Sequence, residues 1–242
     1  MITARPIWIL FLLCWFSVAC DKTEPELLSG DITGYVKVYD ENHYLEEDMS
    51  GVQVVIRDET FEDQSSTDAS GKFLFEDIFY GNYLVGVEME GYFSMITDFP
   101  LHHLGGYSPT LKEYWIHEIP KFETHIDSIR YEETYNRYYI SVNLTGMSGL
   151  PLFGYDFWCF FSDSPEVSLD QYVSDDVGWI WVDDMVGSRG EIMVEIWDNR
   201  FDVLKSDSIY CCVYPRAFGA SLYVLFPESL GSASNVFSFM AQ

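Results

Sequence analysis

Apolar and polar positions in this chain alternate with a period of two. Ile32, Gly34, Val36 and Val38 alternate with Thr33, Tyr35 and Lys37. Val52, Val54 and Ile56 share a face in the next run, Phe73 and Phe75 in another, and Tyr83, Val85, Val87 and Met89 in a fourth. Further on, Tyr138, Ile140, Val142 and Leu144 face one way, with Tyr139, Ser141 and Asn143 opposite. Ile192, Val194 and Ile196 form another such set, Tyr210, Cys212 and Tyr214 a further one, and Val236 to Met240 the last. Tyr155 to Phe161 is almost wholly apolar, which predicts a strand covered on both faces. Gly, Asp, Asn, Ser and Pro separate these runs, and after residue 20 no window carries a sustained i, i+3, i+4, i+7 stripe. The pattern predicts an all-β protein. Its logic breaks near Ile119-Pro120, so two tandem antiparallel β-sandwiches are expected, over residues 31–118 and 119–242.

Residues 1–19 depart from this pattern. Arg5 gives a positive start, and Ile7 to Phe16 is an uninterrupted apolar run, too short to span ~30 Å of hydrocarbon, which takes about 20 residues. Ser17-Val18-Ala19 then places small residues before Cys20, which resembles a lipobox, the site where a bacterial lipoprotein is cut and its new terminal Cys acylated. The resemblance implies a cleaved signal peptide and lipidation of Cys20. An ordinary signal-peptidase site and an uncleaved anchor are the other readings, and Ser17 stands where the lipobox prefers Leu. Residues 20–30 read as an acidic, Pro-containing tether, similar to the export signal of Bacteroidetes surface lipoproteins. An outer-membrane, surface-exposed address in the cell envelope follows from that resemblance. Two or three acyl chains on Cys20 would hold the protein far more firmly than one.

Composition narrows the partners. The chain of 242 residues carries 39 Asp+Glu against 13 Lys+Arg, a formal net charge of −26, which excludes ordinary nucleic-acid binding. The same field opposes docking on anionic lipid. Aromatic residues reach 17%, far above what a disordered chain holds. The expected partners are the membrane, through the lipid, and a glycan or an outer-membrane protein.

Several short motifs resemble known modules. Gly34-x-Val36, Gly51-Val52-x-Val54, Thr67-Asp68-x-x-Gly71-x-Phe73, Gly81-x-Tyr83 and Glu90-Gly91-Tyr92 follow the order of the carboxypeptidase regulatory-like domain, a transthyretin-like sandwich. The resemblance covers residues 30–118 and implies a structural or adhesive role, with Thr67 and Asp68 serving a turn. The second part resembles a fibronectin type III-like or immunoglobulin-like sandwich. Its strand F would be Ser208 to Tyr214, and Phe160 to Pro165 would end strand C. That fold would bring Cys159 near Cys211 or Cys212, so one disulfide among the three is open; buried free thiols are the plainer reading.

Little reads as reaction chemistry, and the expectation is a protein that is not an enzyme, with no cofactor and no metal. HExxH, GxSxG and a Gly-rich loop entering a helix are all missing. His102 and His103 adjoin and would point to opposite faces of a strand, so surface histidines are expected throughout. Asp40 to Gly51, and Asp58, Glu59, Glu62 and Asp63, read as solvated acidic loops. Trp179 and Trp181 alternate around Ile180, so both indoles share a face and could stack on sugar rings; core packing is the plainer reading. Trp115, Trp158 and Trp197 are expected in the core. Asp127-Ser128-Ile129 and Asp207-Ser208-Ile209 match a short Bacteroidetes O-glycosylation motif, on Ser128 and Ser208. The expected role is non-catalytic binding or scaffolding at the bacterial surface, beside glycan uptake. Carbohydrate binding through the tryptophans and a fimbrial or adhesin subunit are the alternatives.

Overall fold

A computed structural model describes residues 28–94, 99–106, 110–132, 134–135, 137–195, 208–218 and 227–240. Residues 1–27, with the segment expected to be a signal peptide and Cys20, lie outside them, as do Ile196 and Trp197. The protein is all-β. In chain order the strands are β1 Ser29–Tyr39, β2 Gln53–Arg57, β3 Glu62–Ser66, β4 Lys72–Phe79, β5 Gly81–Glu88, β6 Tyr92–Ser94, β7 Phe99–His103 and β8 Thr110–Glu118, followed by β9 Glu123–Glu132, β10 Arg137–Thr145, β11 Gly154–Ser162, β12 Ser174–Trp181, β13 Arg189–Glu195, β14 Ser208–Arg216 and β15 Phe237–Met240.

The first eight strands make two four-stranded sheets, ordered β4-β1-β8-β6 and β3-β2-β5-β7. Every ladder between described strands is antiparallel except β1 with β8, which run parallel from Ile32 opposite Thr110 to Tyr39 opposite His117. The alternation read from sequence points inward as expected. Val36, Val52, Val54, Ile56, Phe73, Phe75, Val85 and Ile116 pack into one core between the sheets. Val52, Val54 and Ile56 lose all solvent contact, each worth ~1.5–3 kcal/mol over an exposed side chain. The Thr67–Gly71 segment is a turn. Asp68 Oδ1 accepts hydrogen bonds from the Ser70 and Lys72 amides at 2.9 and 3.0 Å, and Gly71 takes φ +78°.

Strands β9–β15 form a seven-stranded sheet ordered β15-β14-β11-β12-β13-β10-β9. Only two residue pairs, Gly178 with Val194 and Trp179 with Met193, join β12 to β13. The sheet therefore bends there into a three-stranded part, β9-β10-β13, and a four-stranded part, β12-β11-β14-β15. Between them lie Phe122, Ile126, Ile140, Phe157, Cys159, Phe161, Ile192, Cys211 and Val213. The opposite face of β11 and β14 is covered too: Trp158, Phe160 and Cys212 pack with Val167, Leu169 and Leu230. This second cover is why Tyr155 to Phe161 carries no polar alternation.

Several expectations are corrected. Glu62–Ser66 is an edge strand rather than a loop. Trp115 is 52% exposed on the outer face of β8, where its indole N–H donates to Glu113; Trp158 is in the core as expected. The histidines are not uniformly on the surface: His43 and His103 are buried. The solvated acidic loop is solvated only in part, because Glu41, Asn42 and His43 are buried against the seven-stranded sheet.

No disulfide joins the cysteines: Cys159, Cys211 and Cys212 are buried free thiols. Cys159 sits opposite Val213, and Cys211 opposite Phe161, so Cys159 and Cys211 are diagonal neighbours on one face. Diagonal positions lie ~7–8 Å apart, beyond ordinary disulfide reach of about 4.4–6.8 Å between Cα atoms. Cys212 points to the other face.

Candidate functional site

The joint between the two groups of strands is built by the loop after β1. Asp40 Oδ1 accepts from the amides of Asn42 and Tyr44 at 2.9 and 2.8 Å, which curls the loop and directs Glu41–His43 outward. A hydrogen-bonded chain then crosses the joint. Tyr155 OH donates to Asn42 Oδ1 (2.5 Å), Asn42 Nδ2 to Ser148 Oγ (2.7 Å), and Ser148 Oγ to Glu41 Oε1 (2.7 Å). The buried Glu41 carboxylate also accepts the Lys121 amide at 2.9 Å. Burial of a charged group is tolerated where its lone pairs are filled in this way.

His43 holds φ 68° and reaches the carbonyl of Gly154 with Nε2 at 2.9 Å. Its ring packs on Phe218, centroids 4.6 Å apart, and His117 stacks on Tyr39 at 4.8 Å. Desolvation pushes His43 down, and burial with the neighbouring His43 pushes His117 down to about 4. Both imidazoles are neutral at pH 7. Beside them Asp156 and Arg216 approach to 3.9 Å. Burial raises the Asp156 carboxyl and lowers Arg216, each opposed by their mutual attraction.

This joint positions the tryptophans. Gly154, held by His43, opposes Trp181 across the β11–β12 ladder, and Asp156 opposes Trp179. Gly178 and Ile180 turn to the core, so Trp179 and Trp181 share the outer face. Trp181 is 56% exposed. Trp179 is half-buried, and its indole N–H is buried without a hydrogen-bond partner. Phe153, whose carbonyl accepts the Val182 amide at 2.9 Å, is 53% exposed and stacks on Phe218, centroids 6.5 Å apart. Phe153 and Phe218 therefore form an exposed aromatic pair at the joint, and Trp181 is exposed separately on β12, across the ladder from Gly154. Aromatic rings with a few fixed polar groups are what ligand sites are made of. Phe153 and Phe218 were not singled out from sequence; Phe153 stands just before the apolar β11 run, the only local signal.

The remaining candidates are scattered. Ser128 is exposed on β9, and Ser208 is half-buried at the start of β14 with its hydroxyl 3.9 Å from Met240 Sδ. His102 bonds Asn82, His103 the carbonyl of Ile78, and His125 Asp127. None of these contacts activates a nucleophile. Burial raises the thiols of Cys159, Cys211 and Cys212, the last to about 12. Among the described residues no three His, Cys, Asp or Glu side chains converge as around a metal ion.

No protein-family model matches the chain, and no curated protein sequence does either. Among solved structures it is similar to a DUF3823 family protein from Parabacteroides merdae, at 14% identity over 87% of this chain and 98% of that one, TM-score 0.31. It is similar to a protein of Bacteroides uniformis described provisionally as carbohydrate binding, at 15% identity over 88% of this chain and 100% of that one, TM-score 0.30. It is also similar to BcpA, the major pilin subunit of Bacillus cereus, at 12% identity over 88% and 69%, TM-score 0.37.

Proposed function

We propose that the protein is a non-catalytic binding protein of the bacterial cell envelope, anchored by lipid on Cys20, that takes glycan on the Trp179–Trp181 face. The observation that carries the glycan reading is the arrangement on β12: Trp181 is 56% exposed, two residues from the half-buried Trp179 on the same outer face. A sugar ring lays its apolar C–H face on an exposed indole, so the face that carries Trp181 suits a neutral glycan. The net charge of −26 opposes polyanions. The β4-β1-β8-β6 and β3-β2-β5-β7 sheets with their parallel β1–β8 pair support the transthyretin-like, regulatory-like reading of residues 31–118. The three-on-four division of β9–β15 supports the fibronectin type III-like reading of 119–242.

Affinity electrophoresis through gels cast with neutral soluble polysaccharides tests the glycan site. Wild type should be retarded by at least one polysaccharide, and Trp181→Ala should migrate as in an empty gel with its circular dichroism unchanged. Equal migration of the two in every gel overturns the reading. Intact mass of the mature chain tests the anchor: it should begin at Cys20 and carry acyl chains.

A further inference from the structure

The end of the first strand group farthest from the joint carries a second exposed apolar surface. Leu28 is 60% exposed, Phe79 53%, Tyr80 55% and Leu104 70%. They are gathered by the backbone. Ser29 opposes Phe79 at the start of the β1–β4 ladder, and the Tyr80 amide donates to the Leu28 carbonyl at 2.9 Å. The Gly106 amide donates to the Ser29 carbonyl at 2.8 Å. At Gly105 a Cβ would lie 2.9 Å from the Leu28 Cβ, so the segment after Leu104 presses directly on the chain's entry point. β1 runs from this tip at Ser29 to the joint at Tyr39, a span of about 33 Å.

The chain that leads into the tip names the occupant. Leu28 lies only eight residues after Cys20, a reach of at most ~29 Å when extended. A tip so closely tethered to an acylated residue meets the bilayer surface at high effective concentration. Leu and Phe side chains, with an amphipathic Tyr beside them, are what an interfacial contact uses. Asp31, Glu76 and Asp77 flank the tip, which favours a zwitterionic surface over an anionic one. Resting on the lipid-anchor reading above, we propose that Leu28, Phe79, Tyr80 and Leu104 form a second, non-covalent membrane contact that seats the first strand group on a zwitterionic bilayer.

The test uses the full mature chain in phosphatidylcholine vesicles containing lipids brominated near the headgroup. A bimane probe is attached at Glu76→Cys, about 10 Å from Phe79 along β4, and in a second sample at Val186→Cys on the other strand group. Quenching at position 76 should exceed that at 186 several-fold, and Phe79→Ser/Tyr80→Ser/Leu104→Ser should abolish the excess. Equal quenching at the two positions, in a chain whose intact mass shows acylated Cys20, overturns the tip contact and leaves the anchor standing. If the mass shows no acyl group, the anchor falls, and the same comparison on the Cys20→Ser chain mixed with excess vesicles decides the tip alone. A dimer in sedimentation that the triple variant dissolves assigns the surface to a second copy and also overturns the proposal.

Discussion

Asn42→Ala removes the centre of the hydrogen-bonded chain at the joint. The side chain is 4% exposed; it accepts from Tyr155 OH and donates to Ser148 Oγ. Its loss strands the hydroxyl of Tyr155, itself 2% exposed, and an unmet buried donor costs about 1–3 kcal/mol. The lost bond to Ser148 adds ~0.5–1.5 kcal/mol. The expected destabilisation is about 2–4 kcal/mol, and at roughly 2–4 °C per kcal/mol for a chain of this size, Tm falls by ~5–15 °C in calorimetry. Tyr155→Phe in the Asn42→Ala background should restore about half of the loss, since it removes the stranded hydroxyl. The double-mutant cycle is the sharper readout, because contact through one network predicts non-additivity above ~0.5 kcal/mol. An additive cycle, or an Asn42→Ala loss within about 0.5 kcal/mol as at an ordinary surface position, refutes the argument that this loop is a structural plug.

Other outcomes follow from the same geometry. Gly154 holds φ +150°, and a Cβ there would lie 2.0 Å from the Ile180 carbonyl oxygen, so Gly154→Ala should cost several kcal/mol and disturb the strand pair that carries Trp181, seen as lost near-ultraviolet dichroism. His117 binds its proton less readily folded, near pH 4, than unfolded, near 6.5, so its contribution is full above ~6.5 and is lost as pH falls toward 4. Denaturant titrations should show His117→Gln flattening the fall in stability across that window; an unchanged slope would deny the burial. Cys159, Cys211 and Cys212 should resist a thiol reagent at pH 8 in the native protein and react together in guanidinium.

Where the chain is half-buried and locally regular, its pattern was readable. Val52-x-Val54-x-Ile56 alternates because one face meets the core and the other meets water or a neighbouring strand, and period two reports that directly. The run from Tyr155 to Phe161 signalled cover on both faces, and the cluster around Trp158, Phe160 and Cys212 provides it. Glu62–Ser66 escaped notice for the opposite reason. It is a polar edge strand whose stability comes from backbone pairing with β2, which no side-chain period records. Trp115 misled because bulk suggests the core, whereas here the ring lies on the outer face of a sheet, its N–H bonded to Glu113.

The site was legible only in part, and the missing part is non-local. Trp179 and Trp181 could be placed on one face from their spacing alone, since i and i+2 on a strand always agree. Whether that face meets water depends on partners far along the chain. The acidic loop after Tyr39 looked solvated because its composition is that of a surface, yet Asn42 finds Tyr155 113 residues away and Glu41 finds Ser148 107 residues away. Those partners lock His43 onto the Gly154 carbonyl, and Gly154 is the residue across the ladder from Trp181. The exposed indole is thus held by a loop whose own sequence gives no sign of burial. A face built this way is held in place, because moving the strand pair that carries Trp181 away from His43 requires opening a buried, hydrogen-bonded joint. On the glycan reading proposed above, stiffness of that kind would lower the ordering cost of binding a rigid sugar ring.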